Sequence, residues 1–338
     1  MKELLKELCT AAGVGGQGEA PAAAAARLRP LCDEVATDRL GNVTAIRRSG
    51  EAGARTLLLE AHIDEIGFVV TGVDDKGFLR LDKCGGIDRR VLPAAEVTVW
   101  ADRPYAGVFC SVPPHLAGEH DPLPEIPELG VDIGMTAEEA RAAVPVGTRV
   151  SFRPHFEELA GSRVCAKALD NRAGVAAVIA ALELLKDEPL PLHVAVLLSV
   201  QEELGCRGAA TGAFALDPQE AIAVDVSFAV THDADPARCG RLGGGVMLGF
   251  SPVLDAAMTD RLQTLCEMRD IPWQPEGMGG RTGTDADMIT VARGGVPTAL
   301  LSIPLRYMHT PIEVADVHDV EAVAALMAAY IREGGTEA

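Results

Sequence analysis

The stretch "LHVAVLLSVQEELG", residues 192–205, joins a continuous apolar run to two adjacent glutamates. The run has the length and the valine and leucine content of a strand buried on both faces. A helical pattern, "DNRAGVAAVIAALELLKD" at 170–187, comes shortly before it. Because a carboxylate is costly to bury without a positive partner, Glu202 and Glu203 either face water in a loop or meet a cation. The stretch therefore predicts a strand of an open α/β sheet with a polar cluster at its carboxyl end.

Other apolar runs of strand length lie on both sides of this stretch: "TLLLEAHID" at 56–64, "AIAVDVS" at 221–227 and "PTALLSIP" at 297–304. Helical patterns alternate with them, at 251–270 and at 319–333. This alternation is typical of an α/β domain whose strands are buried between helices.

The segment from 67 to 155 has a different pattern. "GFVVTGVDDKGFLRLD" at 67–82 predicts a hairpin that turns at Asp74–Gly77. "TAEEARAAV" predicts a short helix with a capping box from Thr136 to Glu139. We therefore expect an inserted small β-barrel domain at 67–155, and a discontinuous α/β domain formed by 1–66 and 156–338.

Composition narrows the possible partners and location. The 338 residues include 30 Lys and Arg against 49 Asp and Glu, a formal charge of −19, which argues against nucleic-acid and membrane partners. The eight cysteines form no C-x-x-C pair, so they are expected to be reduced thiols rather than a zinc ribbon. The amino-terminal helix pattern lacks the apolar core of a signal peptide, so we expect a soluble, cytoplasmic protein.

Potential metal ligands follow the apolar runs, and sites in open α/β sheets form at the carboxyl ends of strands. Two histidines with several carboxylates suit zinc, and also cobalt or manganese. They are too many for one tetrahedral ion and fit two ions bridged by a carboxylate. The residues in these positions are His62, Asp64, Asp170, Glu202, Glu203, Asp225 and His309.

Each of these residues could also have an ordinary structural role. His62 could be a hydrogen-bonded residue near the core, and Asp170 could be the N-cap of its helix. Asp225 could begin a turn, His309 could lie in a loop, and adjacent glutamates are commonly solvated. The recurrence of such residues in the same strand-end context favours a metal site over this set of unrelated roles.

Six motifs occur in a characteristic order: "AHIDEIGF", "AKALDNRAG", "SVQEELGCRGA", "AVDVSFA", "GRTGTDAD" and "MHTPIEVAD". As a set they resemble the motif series of the tetrahedral aminopeptidases, dinuclear metallopeptidases of which some carry glutamyl-aminopeptidase or cellulase labels. The resemblance implies a zinc-exopeptidase-like three-layer sandwich with a mixed central sheet. "GGIDRRVLP" and "PPHL" resemble the family's β-barrel dimerisation domain, and the resemblance further implies a homododecamer that cleaves short peptides.

The resemblance also implies a role for each site residue. Asp170 would bridge two divalent ions, zinc first, with cobalt or manganese as alternatives. One ion would be completed by His62 and Asp225, and the other by Glu203 and His309. Glu202 would be the general base, and Asp64 would orient the imidazole of His62. Thr284 and Asp285 would lie near the site.

Three other functions remain open on sequence grounds. A related amidohydrolase, either a deacylase or a carboxypeptidase, would use the same metal core without requiring a free substrate amine. A glycosidase would need two carboxyl groups flanking the scissile bond, but that leaves the histidines unexplained. A non-catalytic assembly protein would be expected to have lost a ligand, and every ligand position holds the expected residue type.

Overall fold

The computed structural model describes residues 1–113, 115–116 and 124–336, so Pro114 of the "PPHL" motif lies outside the described residues. The described part of the chain contains eight α-helices: α1 Lys2–Thr10, α2 Ala20–Leu28, α3 Ala137–Ala143, α4 Leu169–Leu184, α5 Arg207–Leu216, α6 Ala256–Met268, α7 Ala286–Ile289 and α8 Val317–Arg332. Three 3₁₀-helices occur at Arg89–Val91, Ile126–Glu128 and Pro236–Arg238. None of the helices described is long and apolar enough to cross a membrane.

Seventeen strands are described, and they divide between one large sheet and one barrel. They are β1 Glu34–Thr37, β2 Val43–Arg47, β3 Thr56–His62, β4 Gly67–Val73, β5 Leu79–Cys84, β6 Glu96–Trp100, β7 Pro104–Phe109, β8 Gly130–Asp132, β9 Arg149–Phe152, β10 Phe156–Glu158, β11 Arg163–Ala166, β12 His193–Ser199, β13 Glu220–Phe228, β14 Val246–Phe250, β15 Trp273–Gly277, β16 Thr298–Arg306 and β17 Glu313–Asp316.

The large sheet is mixed and has eleven strands in the order β1-β2-β12-β3-β13-β16-β17-β11-β10, with β14 and β15 attached beside β16. Its centre is parallel: β12, β3, β13 and β16 run side by side in one direction. The flanking strands β2, β14 and β17 are antiparallel to their central neighbours. The carboxyl ends of the four central strands therefore meet at one edge of the sheet, where a site is expected.

Helices cover both faces of this sheet, which confirms the predicted α/β sandwich. Along β3, Leu57 and Leu59 pack into the core that contains α1, α2, α4, α6 and α8. Leu58, between them, packs into the smaller core formed with α5 and α7, because successive strand side chains point to opposite faces. On α5, a Cβ at Gly212 would stand 2.4 Å from the Leu197 side chain, so this glycine lets α5 lie close against β12.

The inserted segment forms a closed antiparallel barrel in the order β4-β5-β8-β7-β6-β9. The ring of Phe68 is buried in its core, with edge-to-face contacts to Phe109 and Phe152 at centroid distances of 5.0 and 5.6 Å. The predicted hairpin and capping box are both present: β4 pairs with β5, and Thr136 and Glu139 cap α3 reciprocally. The sheet and barrel confirm the fold class expected from the sequence.

Candidate active site

His62 is the last residue of β3 and only 2% of its surface is exposed. Its Nε2 lies 3.0 Å from Asp170 Oδ1 and 3.7 Å from Asp225 Oδ1. Its Nδ1 faces Asp64 at 3.6 Å and has no hydrogen-bond partner among the described residues. Asp64 Oδ1 accepts a hydrogen bond from the backbone N–H of Glu202 at 3.1 Å, which connects the ends of β3 and β12. The imidazole therefore points one nitrogen at two carboxylates and the other at a third.

Asp170 lies at the beginning of α4 but does not cap it. Its backbone is non-helical, at φ −77° and ψ 104°, and the peptide bond to Asn171 is cis. The cap is made instead by Asn171, whose Oδ1 accepts from the backbone N–H of Gly174 at 3.0 Å. The carboxylate of Asp170 is thus free of helix capping and turns toward the two histidines.

The second half of the cluster comes from the loops after β12 and β16. His309 Nε2 lies 3.2 Å from Asp170 Oδ2 and 3.2 Å from Glu203 Oε1. Each oxygen of Asp170 therefore faces a different histidine. A barrel loop closes against this side: a Cβ at Gly85, where φ is +89°, would stand 3.0 Å from Glu203 Oε2, and one at Gly86 would stand 3.0 Å from His309 Nδ1. Glycine allows the barrel backbone to approach these two side chains.

The electrostatics of the cluster favour cations. Burial opposes protonation of His62, but the neighbouring carboxylates outweigh it and raise its pKa well above the usual range. The same balance raises the pKa of His309 to about 11. Burial raises the pKa of Asp225 to about 6. The histidines thus sit in a strong negative field that a bound cation would relieve.

The chemistry of the donor set fits divalent metal ions. Among the described residues, three groups of three have ligand atoms within 4.8 Å of one another, and two of these groups share Asp170. Nitrogen and carboxylate oxygen together suit zinc, cobalt or manganese. The first group is His62, Asp170 and Asp225, and the second is Asp170, Glu203 and His309.

Glu202 lies beside this cluster and lines a cavity of about 610 Å³ together with all five potential ligands. Burial raises the pKa of Glu202 to about 8. Its side chain accepts a hydrogen bond from the thiol of Cys206 at 3.5 Å. Thr284 also lines the cavity, and Asp285 offers a carboxylate oxygen within 4.8 Å of Glu202 and Cys206. Thr284 and Asp285 therefore both lie near the site, which is the position that the resemblance implies for them.

Sequence reasoning missed two buried carboxylates that support the cluster. Glu313, the first residue of β17, accepts hydrogen bonds from the backbone N–H groups of Asp170 at 3.1 Å and His309 at 2.9 Å. Glu60, on β3, places its Oε1 2.8 Å from Ser199 Oγ, and Asp285 is within hydrogen-bond distance of the same hydroxyl, which links the two carboxyl groups. The available signal was an acidic residue inside an otherwise apolar strand pattern, as in "LLLEAH" and "PIEVAD".

Comparison with known proteins gives a consistent result. The family model described as M42 glutamyl aminopeptidase matches residues 41–326. A lysyl aminopeptidase of Pyrococcus furiosus is 33% identical over 312 residues, which cover 90% of this chain and 89% of that protein. The solved aminopeptidase of Desulfurococcus kamchatkensis superposes with a TM-score of 0.91 at 33% identity, over 98% of this chain and 94% of that one.

A third relative is the TET1 peptidase of Pyrococcus horikoshii, which can assemble into a tetrahedron or a large octahedral shell. It superposes with a TM-score of 0.84 at 32% identity, over 98% of this chain and 99% of that one. The resemblance drawn from the six sequence motifs is thus confirmed. The chain belongs to the M42 glutamyl aminopeptidase family of metal-dependent peptide hydrolases.

Proposed function

We propose that this protein removes amino-terminal residues from short peptides by means of two divalent cations and a glutamate base. The observation that carries the proposal is the position of Asp170, whose Oδ1 lies 3.0 Å from His62 Nε2 while its Oδ2 lies 3.2 Å from His309 Nε2. A carboxylate placed between two histidines in this way suits a bridging role between two ions. Zinc is the first candidate, with cobalt and manganese as alternatives.

The ligands divide into two sets that share Asp170. His62 and Asp225 would complete one cation, and Glu203 and His309 would complete the other. Asp64 would hold the imidazole of His62 in orientation through its Nδ1 side, since metal-bound histidines are usually oriented by a carboxylate in this manner. The bound cations would lower the pKa of water and polarise the scissile carbonyl.

Glu202 would move the proton. Its carboxylate takes a proton from the attacking water and then gives it to the amine of the departing peptide. Support comes from its place on the cavity wall beside the ligands and from the burial that raises its pKa. The hydrogen bond from its backbone N–H to Asp64 holds the residue in place without occupying its carboxylate.

The barrel would have a separate role. We propose that residues 1–66 and 156–338 form the catalytic domain, and that the barrel within 67–155 joins subunits into dimers of a homododecamer. The TET1 relative's tetrahedral assembly supports this proposal. Light scattering should give a mass near twelve subunits, and a stable monomer would contradict it.

The test of function uses metal-depleted protein and a panel of aminoacyl-p-nitroanilides with their N-acetylated twins. Zinc, cobalt or manganese is restored one at a time. We expect metal-dependent release from the free-amine substrates alone. Release from the acetylated twins as well would indicate a deacylase-type hydrolase, and no release under any metal would contradict the proposal.

Similarity to these relatives does not identify the amino-terminal residue that this protein prefers in its substrates. The family description names glutamyl, whereas the Pyrococcus furiosus relative is named lysyl, and these side chains carry opposite charges. The preference of this chain must therefore be sought in its own cavity.

A further inference from the structure

The cavity beside the metal-ligand cluster contains a carboxylate that the mechanism does not use. Glu276, on β15, lines the cavity and is half-buried. One of its oxygens accepts from Ser302 Oγ at 2.6 Å, and the other accepts from Ser227 Oγ. Among the described residues, these two neutral hydroxyls are its hydrogen-bond partners. Burial raises the pKa of Glu276, as expected for a carboxylate that has no cation beside it.

The sheet places this carboxylate close to the ligand cluster but beyond it. Ser227 follows Asp225 by two positions on β13, so it points to the same face about 7 Å farther along the strand. Ser302 is the register partner of Asp225 on the neighbouring strand β16. Glu276 therefore lies within reach of the first side chain of a substrate whose scissile carbonyl is at the ligand cluster.

Apolar side chains also line the cavity. They include Met247, Met278 and Leu300, and Met247 is the register partner of Ser302, which contacts Glu276. A lysine or arginine side chain has the matching form, with an apolar stem and a cationic head. Glutamate would bring a second carboxylate to Glu276, and an apolar side chain would leave Glu276 without a charged partner.

An arginine, Arg238, also lines the cavity. It is exposed on a short 3₁₀-helix, where solvent weakens its attraction for an acidic side chain. Glu276 is the more deeply placed charge and is oriented by two hydrogen bonds. The part of the cavity beside Glu276 therefore favours a cation.

We propose that Glu276 determines specificity, and that this aminopeptidase prefers peptides whose first residue is lysine or arginine. The substrate's ammonium or guanidinium group binds the Glu276 carboxylate while its stem lies along the methionine and leucine wall. This inference rests on the proposed aminopeptidase function, and it assigns to that function a class of substrate.

The test compares kcat/KM for lysyl, arginyl, norleucyl and glutamyl p-nitroanilides in the metal-loaded protein. A hydrogen bond to a charged group is worth about 1.5–3 kcal/mol, so we expect lysine to exceed norleucine by about tenfold to hundredfold. Glu276→Gln keeps the size and the serine contacts. It should remove most of the lysine advantage and leave the norleucine rate within about threefold.

Two further variants distinguish selection by the Glu276 charge from a structural effect and from selection by Arg238. Glu276→Lys should shift preference toward the glutamyl substrate, which a merely structural role for Glu276 would not produce. Arg238→Ala should keep the lysine preference. If the preference were lost in Arg238→Ala but kept in Glu276→Gln, Arg238 would be the residue that selects the substrate, and the inference would be overturned.

The remaining outcomes separate this inference from the proposed function. Equal loss on all substrates in Glu276→Gln, or a wild-type preference for norleucine or glutamate, would overturn the inference while leaving the aminopeptidase function intact. Absence of turnover with every free-amine substrate would overturn both.

Discussion

Replacing Glu202 by Gln should separate the proposed proton-transfer role from every structural role of this residue. The backbone N–H of Glu202 keeps its bond to Asp64, and the side chain makes one weak contact, from Cys206 Sγ at 3.5 Å. Glutamine has nearly the same shape, so stability should change by no more than about 0.5 kcal/mol. A general base contributes about 10²–10⁴-fold, which corresponds to about 2.7–5.4 kcal/mol of activation free energy. Turnover should fall by that factor.

The assay measures kcat on a free-amine p-nitroanilide, with metal content and melting temperature determined on the same sample. Glu203→Gln is the matched control, because it makes the same chemical change one residue later and should lower metal content. If Glu202→Gln retained turnover within tenfold of wild type with its metal intact, the assignment of Glu202 as base would be wrong.

Three other perturbations have expected outcomes. Lys167→Met removes the partner that donates to buried Glu65 at 2.6 Å, so the free energy of unfolding in urea should fall by about 3 kcal/mol. Adding Glu65→Gln should recover much of this loss. Equal urea midpoints for wild type and Lys167→Met would contradict a stabilising role for the pair. Burial raises the pKa of Asp319 from 3.8 to about 6, so the folded protein keeps the proton of this carboxyl group to a higher pH than the unfolded chain does. The stability of wild type relative to Asp319→Asn should therefore fall as pH rises through this range, and a constant difference in urea midpoint between about pH 5 and about pH 7 would refute this. Chelation should lower the melting temperature and zinc should restore it, because ions bound only by the folded state stabilise it; an unchanged melting curve would count against resident metal.

The main elements of the fold could be predicted because their signals are local. Buried parallel strands such as β12 and β16 are continuous apolar runs, and the barrel hairpin has a recognisable turn. By contrast, β14 and β15 were not anticipated. The strand β14 follows three glycines, and Pro275 lies inside β15, so neither segment has a clear strand pattern. Their pairing depends on neighbours distant in sequence, which periodicity cannot reveal.

Some residues of the candidate site can also be found from local sequence signals, and others cannot. Histidines and carboxylates at strand ends can be found in the sequence because the edge of a parallel sheet gathers them. The buried carboxylates that support these side chains cannot be found in the same way, because their partners are distant in sequence. Glu60 and Ser199 are 139 residues apart, and Glu313 and Asp170 are 143 residues apart. The N-cap interpretation of Asp170 also failed for a local reason, because Asn171 makes the cap.

The proposed bridging role of Asp170 can be tested most directly by counting metal ions per chain. Elemental analysis of zinc-loaded, dialysed protein should give about two ions for wild type and about one for Glu203→Gln, because only one of the two groups of ligands includes Glu203. Asp170→Asn should fall below one, because both groups lose their shared ligand. One ion in wild type, or two retained in Asp170→Asn, would contradict a site in which Asp170 bridges two cations.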